Sequence, residues 1–109
     1  MPSDNLNMDD LTKERQEALK QSIRTISVEE LKALGEGLFP FHDHPWRAKF
    51  FDFISENAGA SFSHATTHDG VHIIYCKDKD RGMWFLPGCG MGPLQEKGRK
   101  IMKELAEGL

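Results

Sequence analysis

The chain has 109 residues, a length that suits one domain with a single modest core and excludes two. Charged residues make up 28% and hydrophobic residues 39% of it, an ordinary mixture for a soluble globular protein. No apolar stretch approaches the length of a membrane span, and the first residues do not resemble a secretory signal, so we expect a cytoplasmic protein without a membrane partner. Its two cysteines form no CxxC pair, which predicts reduced thiols.

The net charge of -3 is unevenly distributed along the chain. Residues 1–40 hold five basic and eight acidic side chains, whereas residues 41–109 hold nine of each. A protein that binds nucleic acid normally needs clustered Lys and Arg to displace the counterions of phosphate, and the sequence has no such block. Nucleic acid is therefore a disfavoured partner. We expect a single domain over 1–109, with an acidic helical extension over 1–40 and a core over 41–109.

Three helices are predicted before any strand. The first is capped by Asp9 or Asp10 and runs to about Arg24, with a thin apolar stripe that is typical of a helix lying on the surface or docking on a partner: Leu11, Ala18, Leu19 and Ile23. The second follows a capping box at residues 27–30. The third begins at Pro45 and carries an aromatic stripe, which we interpret as core: Trp46, Phe50, Phe53 and Ile54.

Residues 61–76 show a period of two, which predicts a β-hairpin. Asp69 and Gly70 form the strongest short hairpin signal in the chain. If these two are the central turn residues, Thr67 faces His72 across the hairpin. This register assigns to one face of the sheet Ala65, Thr67, His72, Ile74, Cys76, Met83 and Phe85, and to the other His64, Thr66, His68, Ile73, Tyr75 and Trp84.

The rest of the chain completes a small sheet and one more helix. A charged turn over residues 77–81 leads to a third strand over 82–86, and Pro93 is predicted to open the last helix. The expected fold class is α+β. Two N-terminal helices precede an α-β-β-β-α order, in which a three-stranded antiparallel meander packs on helices.

Five histidines lie between positions 42 and 72, a density that raises the question of a metal site. The predicted register places His64 and His68 on one strand, roughly 13 Å apart at about 3.3 Å per residue, and His72 on the opposite face. His42 and His44 are interpreted as residues at the start of the third helix. We therefore predict no metal ligand and no cofactor.

Cys89 lies in a loop that is rich in glycine: Gly88, Gly90 and Gly92. If this loop opens a helix at Pro93, its backbone N–H groups and the helix dipole favour a thiolate or a bound anion. His72 lies near the same end of the sheet, so one hypothesis is a catalytic Cys89–His72 pair with Asp69 close by. Another is an anion-binding site at the three glycines, and the alternative to both is a tight turn that contains a small thiol.

The α-β-β-β-α order is also that of the double-stranded-RNA-binding fold. Within it, the segment Gly70-Val71-His72-Ile73-Ile74-Tyr75, a strand that ends at Leu86-Pro87, and a helix that contains Gly98 and closes at Gly108-Leu109 resemble HicA-type toxins over residues 46–109. Those toxins are small endoribonucleases with a catalytic histidine in a Gly-Ser-His segment. The resemblance implies that His72 is catalytic, with Val71 in the place of the family's serine.

The sequence as a whole favours a small non-catalytic regulatory protein that acts by binding a protein partner or a second copy of itself. Its acidic first helix and its aromatic sheet face are the predicted contact surfaces, represented by Leu11, Leu19, Ile23, Tyr75 and Trp84. RNA binding or cleavage through His72, and a thiol or anion site around Cys89, stay open as alternatives.

Overall fold

The computed structural model describes residues 12–39, 45–57, 59 and 61–109. In chain order the described elements are α1 (Lys13–Ser22), β1 (Arg24–Ile26), α2 (Val28–Leu38), α3 (Pro45–Glu56), β2 (Phe62–Thr66), β3 (His72–Cys76), β4 (Arg81–Leu86), β5 (Gly90–Pro93) and α4 (Glu96–Glu107). Within the described residues, none of the helices is long and apolar enough to cross a lipid bilayer.

The strands form one antiparallel sheet in the order β1-β2-β3-β4-β5. The predicted α+β class is confirmed, and the predicted three-stranded meander corresponds to β2, β3 and β4. The sequence did not predict the two outer strands, of which β1 pairs with β2 and β5 pairs with β4. The sheet therefore has its edges at β1 and β5.

Side-chain caps and one arginine fix the helices. Ser27 and Glu30 form the predicted capping box, in which each side chain accepts a hydrogen bond from the other residue's backbone N–H. The first helix begins later than predicted, because Thr12 caps it through the N–H of Arg15; Asp9 and Asp10 lie outside the described residues. Arg47 joins α2 to α3, since its guanidinium donates to the Phe39 carbonyl at 2.6 Å and contacts Glu36 at 2.7 Å.

The β2–β3 hairpin has a different register from the predicted one. Thr66, not Thr67, pairs with His72, because the loop contains three residues rather than two. The Gly70 N–H donates to the Thr67 carbonyl, and Gly70 then turns the chain at φ +89°, a conformation that glycine adopts without strain. The Thr67 hydroxyl accepts from the Val71 N–H at 3.0 Å and donates to the Asp69 carboxylate, which stabilises the longer loop.

A shift of one residue moves every side chain of β2 to the other face. The prediction for β2 was therefore wrong, whereas the faces predicted for β3 and β4 agree with the two cores. The α2/α3 face packs Phe62, Ile74, Cys76, Met83 and Phe85 against those helices. The opposite, α1/α4 face packs Ala65, Ile73 and Tyr75 against Leu19 and Met102. Both faces of the sheet are thus covered by helices.

The segment after the glycine loop is a strand, so the prediction that Pro93 opens a helix was wrong. Pro93 is the last residue of β5, and α4 starts only at Glu96. Proline is compatible with a strand at an edge, where its missing N–H is not needed by a neighbour. The Leu94 N–H continues the ladder by donating to the Gly82 carbonyl at 2.9 Å.

Gly35 provides a test of how closely α2 and α3 pack. A Cβ atom at this position would lie 2.6 Å from Cε1 of the buried Phe50 ring. We expect Gly35→Ala to lower the free energy of unfolding by about 1–2 kcal/mol, because overpacking outweighs the gain in helix propensity. Urea denaturation at constant m-value measures the change.

Gly37 in the same helix is the matched control. Apart from its chain neighbours and the backbone of its own helix, nothing lies within 4 Å of a Cβ atom at this position. Gly37→Ala should therefore raise the free energy of unfolding by about 0.5–1 kcal/mol through helix propensity alone. Equal effects of the two substitutions would contradict close packing at Gly35.

Candidate functional site

His72 forms a ring pair with His64. The observed register places both residues on the α2/α3 face, where Nε2 of His64 lies 3.0 Å from Nδ1 of His72. The two rings are nearly parallel, with an angle of 8° and centroids 5.3 Å apart. On its other side, the His72 ring stacks against Phe85 at 5.3 Å. The sequence prediction that His64 and His72 point to opposite faces is therefore wrong.

Both histidines of this pair are held in the neutral form. Burial lowers the pKa of His64 to about 4, and repulsion from His72, when that ring is protonated, and from Arg24 acts in the same direction. Burial also lowers the pKa of His72. At neutral pH one ring therefore donates its N–H to the lone pair of the other. A neutral, half-buried imidazole such as His72 can accept a proton from a bound group.

The pair is not part of a larger cluster of metal ligands. No group of three or more His, Cys, Asp or Glu side chains in the described part of the chain is placed to hold a metal ion. Asp69 is engaged elsewhere, since its carboxylate accepts from Thr67 and from Arg15 at 2.9 Å. The Thr67 hydrogen bond is the main cause that lowers the Asp69 pKa. His42 and His44 lie outside the described residues.

Cys89 lies at the tip of the β4–β5 hairpin. Its N–H donates to the Leu86 carbonyl at 3.0 Å, and Gly88 turns the chain at φ +76°. Because β5 rather than a helix follows, the helix dipole expected behind this thiol is absent from the loop. The thiol is exposed, and no hydrogen bond joins it to His72 in the described structure. Gly90 and Gly92 are strand residues, and a Cβ at Gly92 would lie 3.0 Å from the Trp84 indole nitrogen.

The predicted partner-binding residues are mostly inside the fold. Leu19 and Tyr75 are fully buried in the core of the α1/α4 face. Ile23 and Trp84 pack against that core and are half-buried. Leu11 lies outside the described residues. The thin stripe of α1 therefore docks on the protein's own sheet.

A groove that the sequence did not predict follows the β5 edge. Its first part, about 280 Å³, lies between α3 and β5 and is lined by Lys49, Phe53, Met83, Met91 and Pro93. Its second part, about 300 Å³, shares Phe53 and Pro93 with the first and adds Asp80, Arg81, Leu94 and Arg99. The two parts adjoin at Phe53, Gly82 and Pro93, and we call them together the edge groove. Pro93 was its only sequence signal, because proline within a strand pattern indicates an edge.

The chain has no match among protein-family models, curated proteins or solved structures.

The histidine pair predicts a loss of stability in acid. The pKa of His64 in the folded protein, about 4, lies below the ordinary value of 6.5, so the unfolded chain takes up this proton first. Stability is complete above pH 6.5 and falls as the pH drops from 6.5 to 4, by about 2–3 kcal/mol. Chemical denaturation at a series of pH values measures this slope.

His64→Phe should remove the larger part of the slope, because the phenyl ring does not titrate and only the smaller contribution of the lowered His72 pKa remains. His68→Gln is the control, since His68 is exposed in the hairpin turn and should leave the slope in place. The lowered pKa values of Asp69 and Glu30 change the stability only below pH 4.5, so these two carboxylates contribute little to the slope between pH 6.5 and 4. A slope of undiminished size in His64→Phe would contradict the assignment.

Proposed function

We propose that this protein is a small non-catalytic module that binds another protein through the edge groove. One observation carries the proposal: both faces of the sheet are covered by its own helices, and the core becomes accessible beside β5. Three apolar side chains, Phe53, Met83 and Met91, line the groove there. A strand edge next to an apolar groove is a recurring way of binding an extended segment.

Methionine supports this role of the groove. Met83 and Met91 lie on the same face of neighbouring strands, offset by two residues, and their flexible thioether chains adapt to differently shaped ligands. A larger depression of about 580 Å³ lies along α1, but charged and exposed side chains such as Lys13, Glu14 and Glu17 line it. These long charged side chains lose conformational entropy and hydration when a partner covers them, which opposes binding there.

We further propose that the protein works in the cytoplasm. Cys76 and Cys89 are both free, which is the ordinary state of cysteines in a reducing compartment. Cys76 is fully buried and serves as a core residue, so oxidation would first affect the exposed Cys89.

Site-specific photocrosslinking tests the contact surface. We expect a photoreactive amino acid in place of Lys49 to form a discrete adduct with one protein in cells, because Lys49 lines the groove. The same amino acid in place of Lys32, exposed on α2, should not form that adduct. Identical adducts from both positions would argue against the edge groove.

Purified partner then provides the quantitative measurement. Met91→Lys inserts a charge into the groove and should weaken binding at least about tenfold in a calorimetric titration. Ala33→Lys makes the same addition of charge on the exposed surface of α2 and should leave the affinity within about twofold. Thermal unfolding confirms that both variants are folded. Unchanged affinity in Met91→Lys would overturn the proposal.

The geometry of His72 favours a second candidate, RNA cleavage of the HicA type. The neutral ring is held between His64 and Phe85, an arrangement that orients a general base. On this hypothesis His72→Ala abolishes RNA cleavage by the purified protein, whereas His68→Ala retains it. Circular dichroism shows whether each variant is folded. A wild-type protein that leaves RNA intact would remove this candidate.

A further inference from the structure

We infer that the edge groove takes an extended acidic segment of a partner protein, whose carboxylates meet Arg81 and Arg99 while its apolar side chains enter between Phe53 and Met91. This inference rests on the proposed function and adds the chemistry of the partner. Its basis is the distribution of charge and of hydrogen-bonding groups along the groove.

The rim of the groove is cationic although the whole chain is acidic. Lys49 lines one part, and Arg81 and Arg99 line the other. Asp80 is the one acidic side chain among the lining residues that the structure describes, and it is already engaged: it accepts from the Tyr75 hydroxyl at 2.7 Å and lies 3.8 Å from Arg99. The net charge of the chain is -3, so this excess of positive charge is local. It complements a negatively charged segment.

The acidic residues of α3 do not cancel this rim. Asp52 and Glu56 are exposed on the helix that carries Lys49 and Phe53, but neither lines the groove. Asp52 lies one helical turn from Lys49 and offsets part of its charge, so the positive charge of the rim comes mainly from Arg81 and Arg99. A carboxylate bound between Arg81 and Arg99 would meet the basic groups directly.

Arg99 is anchored beside the groove by one of its guanidinium nitrogens. Its Nη1 donates to the Leu94 carbonyl at 2.8 Å, which anchors the guanidinium at the end of β5. Its Nε is buried, makes no hydrogen bond to any described residue and lies 3.8 Å from Asp80, so a bound carboxylate would meet the Nη side of the guanidinium. Arg81 is exposed beside it. Two planar guanidinium groups match carboxylates better than two lysines would, because each can donate a pair of parallel hydrogen bonds.

The backbone of β5 adds a short row of outward-facing groups. The Leu94–Gly82 hydrogen bond fixes the alternation, so Gly92 faces β4 while Met91 presents its N–H and carbonyl to the open side. Pro93 presents a carbonyl but no N–H. The edge accepts more hydrogen bonds than it donates, and an added strand supplies N–H donors.

The same features disfavour a second copy as the occupant. Pairing of β5 with its symmetry mate would bring two sets of Lys49, Arg81 and Arg99 together. Like charges across an interface oppose association. Both copies of Pro93 would also lack the N–H that a continuous ladder requires.

Short synthetic peptides test the inference directly. The probe is an end-blocked peptide that alternates Val or Leu with Glu, and its controls carry Gln or Lys in place of every Glu. We expect the Glu peptide to bind at least about tenfold more tightly than the Gln peptide in calorimetry, because each charge-assisted hydrogen bond is worth about a factor of ten. Amide NMR shifts should be confined to α3, β4 and β5. No binding of the Glu peptide, or equal binding of the Gln peptide, would overturn the inference.

A matched pair of variants distinguishes a direct contact in the groove from the effect of the protein's overall charge. Arg81→Gln should weaken binding of the Glu peptide about tenfold, whereas Lys103→Gln, the same loss of charge on the exposed side of α4, should change it less than about twofold. Equal losses in the two variants would overturn the inference. So would a single-stranded oligonucleotide that binds the groove more tightly than the Glu peptide.

The outcomes distinguish this inference from the proposed function. Suppose that the partner found by crosslinking at Lys49 binds the Met91→Lys variant weakly but binds the Arg81→Gln variant normally. The groove then binds protein through its apolar lining, and the inference of an acidic segment is wrong. If Met91→Lys leaves the partner bound, the contact surface itself is wrong.

Discussion

The register of the β2–β3 hairpin is the constraint on which the other features depend. Thr67 closes a three-residue loop with Val71, and the positive φ of Gly70 lets the chain return. This loop makes Phe62 the partner of Cys76, so that both contribute to the core of the α2/α3 face. It also leaves Ala65 for the core of the opposite face. A two-residue loop would exchange these assignments, because the side-chain period of a strand is two.

Short-range patterns predicted the parts of the fold that are long or strongly periodic. The capping box of α2, the aromatic stripe of α3 and the strands β3 and β4 were all visible in the sequence. Three parts were not. β1 has only three residues, too few to show a period. β5 reads Gly-Met-Gly-Pro, a composition that is poor in strand formers. An Asp-Gly pair is compatible with two-residue and three-residue loops alike, so the register depends on the Thr67 hydroxyl.

The same limits explain what was predicted of the candidate site. His72 and Cys89 were correctly assigned to a strand and to a glycine turn, but the partner of each depends on long-range pairing. A shift of one residue in the register moves His64 to the same face as His72. Its Nε2 then lies 3.0 Å from Nδ1 of His72. Pro93 is a strand residue and α4 starts only at Glu96, so no helix begins directly after Cys89. The edge groove combines side chains from α3, β4, β5 and α4, and no local pattern brings those four segments together.

The histidine pair and the edge groove lie on strands with different positions in the sheet. With helices on both faces, β3 is an inner strand whose side chains serve the two cores, and His72 is accommodated there by stacking between His64 and Phe85. The outer strand β5 is under a different constraint. Gly92 lets the Trp84 indole approach closely, and Pro93 has no N–H to donate to a neighbouring chain. On the proposed function, an edge with few donors and a cationic rim resists pairing with itself and accepts an acidic strand, so the same groups that oppose self-association select the partner.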